Sequence, residues 1–276
     1  MHKMQKFMQN KLAVAGAVML AVILLIAAFA PVLAPYNPTK TNVRAIFSSP
    51  SSEYLFGTDE LGRDVLSRTL YGARITVVVG VVAVLIAMVA GITLGLLSGY
   101  FGGKVDMVIS SVLDAVWAFP TLILALAITA VLGASLGNIL LAIGIVYIPG
   151  FARIVRSMVL TVKETEYIKS AKAIGLNHAT IILRHVLPNV FSVVIVQASL
   201  YAAQAIITEA TLSFMGLGIQ PPQASWGSAL KTSFSFIYKA PWLCIYPGIA
   251  ILLTVLSLNF IGDGLRDALD VRIRND

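Results

Sequence analysis

Six apolar stretches constrain this chain more than any motif: about Leu12–Ala34, Ile75–Leu97, Val105–Leu132, Asn138–Met158, Pro188–Thr211 and Pro241–Ile261. Each is long enough to cross a hydrocarbon core of ~30 Å at ~1.5 Å per helical residue. In lipid, backbone amides must be satisfied within their own segment, so these runs are expected to be helices. The two-residue alternation of an outer-membrane barrel is absent. Charged residues make up 12% of the chain and hydrophobic ones 58%, against roughly 25% charged in soluble domains. The expected fold is an all-α membrane protein with six transmembrane helices.

The N-terminus imitates a signal peptide, with Lys3, Lys6 and Lys11 ahead of an apolar run and Ala28-Phe29-Ala30 as a mock cleavage site. Signal cores run about 7–15 residues, and this one continues to Ala34, so a retained first span is expected. With that end inside, 13 of the 20 Lys and Arg residues fall on inner segments and seven on outer ones: Lys40, Arg44, Arg63, Arg68, Arg74, Lys231 and Lys239. The bias places both termini in the cytoplasm. The expected organisation is an N-terminus and first helix over 1–34, an outer loop with an interfacial helix over 35–74, and a five-helix core over 75–262. Within the core lie a cytoplasmic loop at 159–187 and an outer loop at 212–240, and a cytoplasmic tail follows at 263–276. Basic residues confined to short loops do not make the stripe that nucleic acid requires. The single cysteine, Cys244, excludes a disulfide framework and reads as a packing residue.

The polar interruption between the fourth and fifth spans carries the functional signal. Gly175 suits a helix C′ position, Asn177 can cap the following short helix, and Pro188 fits the first turn of the fifth span. The expected shape is helix, sharp turn, helix. Tyr167, Ile168, Ala171 and Ile174 form an apolar stripe with lysines opposite, the design of a short amphipathic helix docking into a partner's groove. In the second span, Ala83, Ala87, Gly91, Gly95, Gly99 and Gly103 recur every fourth residue. Such a ridge lets another helix approach closely, within the bundle or on a second membrane subunit.

This loop resembles that of bacterial ABC importer permeases, which reads Glu-Ala-Ala, a short spacer, Gly, about nine residues, then Ile-x-Leu-Pro. Here the matching positions are Lys169-Ser170-Ala171, Gly175 and Leu187-Pro188; Lys169 and Ser170 replace the Glu and first Ala, and His185-Val186 departs from Ile-x. Five further blocks resemble one branch of that group: Phe56–Ile75, Gly99–Asp106, Ala118–Ala125, Ile207–Gly227 and Gly262–Arg272. That branch is the second, or "C", permease subunit of the dipeptide/oligopeptide/nickel family. The resemblance implies a type I importer core with an extra N-terminal helix. It also implies a homologous partner permease, two ATPase subunits and an extracellular or periplasmic solute-binding protein, in a bacterial plasma (inner) membrane. The ATPase-coupling residues it implies are Glu166, Tyr167, Ile168, Lys169, Ser170, Ala171, Ile174, Gly175, Leu187 and Pro188.

No phosphate loop is present: Gly99–Lys104 shows Gly-Gly-Lys but continues with valine. No cofactor or metal is expected on this chain, so ATP and Mg are used by partner subunits and energy arrives by contact. Pro120 and Pro149-Gly150 can kink their spans. Asp114 and Glu209 are carboxylates inside spans and so candidates for the solute pathway, with structural hydrogen bonding as the other reading. Two other classes need weighing. Gly133-Ala134-Ser135-Leu136-Gly137 fits GxSxG, but an intramembrane serine protease needs a base within reach, and His2, His178 and His185 all fall on the opposite side. The same two loop histidines read as solvent-facing rather than metal-binding. A channel would need no ATPase.

Overall fold

The computed structural model describes residues 2–269, so the end of the expected tail from residue 270 on, with Arg272 and Arg274, lies outside the described residues. Ten helices are described: α1 His2–Gln9, α2 Lys11–Leu33, α3 Val65–Phe101, α4 Gly103–Trp117, α5 Thr121–Leu132, α6 Leu136–Val162, α7 Glu166–Ala173, α8 His178–Phe214, α9 Trp226–Phe234 and α10 Trp242–Leu269. Among the described residues there is no strand beyond one isolated bridge, Thr58 with Asp64. Helices α2, α3, α6, α8 and α10 are long and apolar enough to cross a membrane, and α4 with α5 reaches that length and apolarity only as a bent pair, a broken span or a re-entrant loop. The chain is an all-α membrane protein.

Three helices depart from the sequence reading. The interfacial helix and the second span are one 37-residue helix, α3, so the expected boundary at 74/75 is not a structural one. Asp64 starts it by accepting from the Ser67 amide at 2.7 Å. Nothing stops it before Gly102 at φ +68°, and a wider π-helical turn at Val79–Ala83 is absorbed within it. The third span is not one helix: α4 and α5 meet at 87°. Pro120 supplies no amide donor and disfavours a helical Phe119, so the helix ends there and restarts at Thr121. Finally, the short loop helix and the fifth span are continuous in α8. A π-helical stretch at Ile181–Val186 immediately precedes Pro188, and the helix runs through the proline without a break.

The core sits where α3 crosses α6 and α8, around Val79, Ala87, Ile139, Ile143, Phe151, Val155 and Val190, all fully buried. The small-residue ridge makes this crossing close. A Cβ on Gly91 would strike the Phe151 side chain, one on Gly95 would lie 2.5 Å from the Ala152 carbonyl, and one on Gly99 2.8 Å from Val159 Cβ. The ridge therefore faces α6 of the same chain, and it ends before Gly103, which has open space. By contrast, no residue of α4 is buried.

The segment between α2 and α3 folds as a cap. Arg63 bonds Asp59 at 2.7 Å and Glu60 at 2.8 Å, and Arg68 lies 3.5 Å from Asp59. Asp59, Arg63 and Asp64 are all buried. Aromatic pairs Phe56–Tyr246 and Phe47–Phe236, with the Trp242 indole donating to the Thr58 carbonyl, fasten this cap to α10 and the turn before it.

Candidate functional site

The loop joining α6 to α8 is built from local signals. Helix α7 ends in a Schellman turn: the Gly175 amide donates to the Lys172 carbonyl at 3.0 Å, and Leu176 to Ala171 at 3.2 Å. Gly175, at φ +78°, occupies the left-handed position this turn requires. Asn177 then caps α8 by accepting from the Thr180 amide at 2.7 Å. The apolar stripe divides into two faces. Ile168 is fully buried and Ala171 6% exposed, packed with Val162, Ile181 and Val186 in the main core. Tyr167 and Ile174 stand out at 45% and 76% exposed. Half of the stripe expected to dock elsewhere thus anchors α7 to its own bundle. Glu166, Lys169 and Ser170 are exposed, with Lys169 and Glu166 3.1 Å apart. Leu187 is half-buried and Pro188 exposed, on the third turn of α8.

Three further ties stiffen the loop. His178 shares a 2.9 Å hydrogen bond with the Tyr100 hydroxyl at the end of α3, and Lys172 lies over the Tyr100 ring. Tyr167 accepts from Asn189 at 3.1 Å, and Asn189 also donates to the His185 carbonyl. Lys163 reaches back to the Gly99 carbonyl. His178 is exposed, as expected, and also ties the loop to the end of α3. The inner side of the loop is buried against α6 and α8.

Two cavities line the bundle along α6. One, of about 610 Å³, lies in the angle of the broken span, between Trp117–Leu122 and Tyr147, Tyr201, Gln204 and Thr208. Tyr147 hydrogen-bonds Thr208 at 2.9 Å and stacks on Tyr201. Tyr201 in turn approaches Gly150 too closely for a Cβ there, which is what Gly150 beside Pro149 permits in an unbroken α6. The other cavity, about 410 Å³, lies toward the loop and is lined by Ser98, Ser110, Asp114, Arg153 and Arg156. Asp106 takes Arg156 in a two-point pair at 2.6 Å and also bonds Ser98 and Ser110. This strut holds α4 to α3 and α6.

Asp114 pairs with Arg153 at 2.9 Å, both well exposed, and the Arg153 guanidinium lies 4.4 Å over the Trp117 ring. Glu209 is 1% exposed, accepts from Ser213 at 2.7 Å, and lies where α8 packs on α9. It lines neither cavity. Ser135 caps α6 by accepting from the Asn138 amide. The sequence reading missed Arg153 and Arg156, which it counted as loop cations. Two arginines three apart in an apolar run, with Asp106 and Asp114 in the preceding span, were the available signal.

Residues 91–275 match the family described as binding-protein-dependent transport system inner membrane component, and residues 3–50 match the N-terminal transmembrane domain of oligopeptide transport permease C. The chain is 47% identical to a dipeptide transport system permease protein of Alkalihalophilus pseudofirmus, covering 97% of this chain and 88% of that one. It is 42% identical to a glutathione transport system permease protein of Pectobacterium atrosepticum, over 98% and 90% of the two chains. Its backbone resembles that of the inward-facing MetNI methionine ABC transporter, with a TM-score of 0.60 at 18% identity over 75% of this chain and 97% of the other. With the helical bundle, the loop and the cavities in place, these matches assign the chain to the binding-protein-dependent transport system inner membrane component family, as a permease subunit of an ABC importer.

Proposed function

We propose that this chain forms one half of the translocation pathway for peptides or related small solutes, and takes its driving force from an ATPase seated on the α7–α8 loop. The dipeptide and glutathione permeases among its relatives support the solute class. The observation that carries the reading is the two-faced α7. Its inner face, Ile168 and Ala171, is buried in the bundle, while Tyr167 and Ile174 stay uncovered. An ATPase that grips the outer face moves α6 and α8 through the inner one, so nucleotide-driven closure becomes rocking of the bundle.

The partners are a second, homologous permease, two ATP-binding subunits and a solute-binding protein. ATP and Mg belong to the ATP-binding subunits, and this chain binds no cofactor. The loop and both termini face the cytoplasm of a bacterial inner membrane. Helix α4, without a buried residue, supplies surface to the partner permease. The two cavities form the pathway, with Asp114 at its wall, and Glu209 serves as a buried packing acid between α8 and α9. Co-expression with the neighbouring transporter genes and purification from membranes tests the reading. A stable complex with an ATPase, showing ATP-dependent uptake of a dipeptide into proteoliposomes, is expected. A solitary chain that conducts solute without ATP would overturn it.

A further inference from the structure

The two carboxylate–guanidinium pairs between α4 and α6 are built differently. Asp106 uses both oxygens on Arg156 and adds Ser98 and Ser110. Its geometry is saturated and half-buried, with side chains 21% and 37% exposed. Asp114 touches Arg153 through one oxygen and one nitrogen, with side chains 66% and 56% exposed. Among the described residues, no other hydrogen bond reaches Asp114 Oδ2 or the remaining Arg153 N–H groups. These unused groups line the 410 Å³ cavity. A saturated pair resists opening, and a one-point exposed pair opens at little cost.

Position adds a second constraint. Arg153 lies six residues along α6 from Tyr147, roughly 9 Å at the helical rise; the pair lines the smaller cavity and Tyr147 the larger. Trp117 bounds the larger cavity and holds the guanidinium face, which fixes the arginine and leaves the edge of its fork free. A charged pair at this depth of a bundle is expected to face a water-filled route rather than lipid.

We propose that Asp114 and Arg153 are a waypoint for zwitterionic solutes: the pair opens, Arg153 takes the solute's carboxylate and Asp114 its ammonium, and the pair closes behind it. The proposal rests on the pathway reading above and adds a solute chemistry to it. The exchange is charge-neutral at every stage, since two ion pairs replace one and the solute brings one charge of each sign. It requires no titration. Arg156 and Asp106 stay closed throughout and keep α4 in register.

The test uses the complete importer in proteoliposomes, with dialanine as the zwitterionic probe, and reads molecules imported per ATP hydrolysed. Arg153→Gln and Asp114→Asn are each expected to lower that ratio about tenfold, equivalent to ~1.4 kcal/mol. Arg153→Lys keeps the charge and retains about a third or more of the wild-type ratio. The melting midpoint of the purified complex stays at the wild-type value in Arg153→Gln and falls in Arg156→Gln. An unchanged import ratio in both neutral variants overturns the waypoint and leaves the importer reading standing. A melting loss in Arg153→Gln as large as that in Arg156→Gln also overturns it, because the pair is then a second strut. If the wild-type complex imports no dialanine, the peptide reading falls and the waypoint with it.

Discussion

The cap between α2 and α3 and the loop between α6 and α8 are both polar interruptions of an apolar chain, yet they treat their side chains in opposite ways. The cap turns its charges inward. Arg63 and Arg68 meet Asp59 and Glu60, and Asp59 and Arg63 are both buried. The loop turns apolar groups outward, leaving Tyr167, Ile174 and Leu183 at 45%, 76% and 61% exposed. A polar segment that satisfies itself is a closed structural unit. A polar segment that spends local capping bonds to present uncovered apolar edges is shaped for a partner. Two of the cap's cations, Arg63 and Arg68, are thus already neutralised within the fold.

The comparison can be broken from the cap side first. Asp59→Ala removes the buried carboxylate that Arg63 and Arg68 share and that also accepts from the Leu61 and Arg63 amides, leaving Arg63 with Glu60 alone; the expected loss is roughly 3–5 kcal/mol, read as a lower melting midpoint and poor recovery of the assembled complex. Wild-type stability would mean the cap is not self-supporting. On the loop, Ile168→Ala empties a fully buried site and is expected to cost roughly 2–5 kcal/mol in the same measurement. Asn177→Ala removes the α8 cap, about 1 kcal/mol, and should lower coupling of ATP hydrolysis to uptake more visibly than stability. Ile174→Ala sharpens the contrast most. On an exposed edge it should shift stability by no more than about 0.5 kcal/mol, while uptake per ATP collapses. Equal effects of Ile168→Ala and Ile174→Ala on both readouts would erase the distinction between the two faces of α7.

Much of this fold is legible residue by residue. The apolar runs give the crossings, Gly175 and Asn177 give the turn and cap of the loop, and the four-residue spacing of Gly91, Gly95 and Gly99 gives a close helix contact. What the sequence hides is continuity and direction. Nothing local to Arg74 and Ile75 says that a polar helix runs on into a span, since helix propensity does not mark the membrane boundary. Pro120 signals a break but not an angle of 87°, which neighbours set. Pro188 reads as a helix start, yet α8 runs through it, with a π-helical stretch just before. At the candidate site, the stripe Tyr167, Ile168, Ala171 and Ile174 has the width of one ordinary apolar helix face, yet the fold divides it between the bundle and the exterior. Periodicity alone cannot say which members the bundle keeps. Asp114 and Glu209 look alike as acids in spans. One lies on a cavity and the other in a helix crossing, because long-range packing, absent from any local window, decides exposure.

The most direct test of the central claim is a cysteine placed at the exposed tip of α7, Ile174→Cys in a Cys244→Ser background, within the intact importer. A short thiol-reactive crosslinker should join this position to an ATP-binding subunit, and a membrane-impermeant thiol reagent should leave it unlabelled in whole cells. Labelling from outside intact cells, with no ATPase captured, would contradict the account.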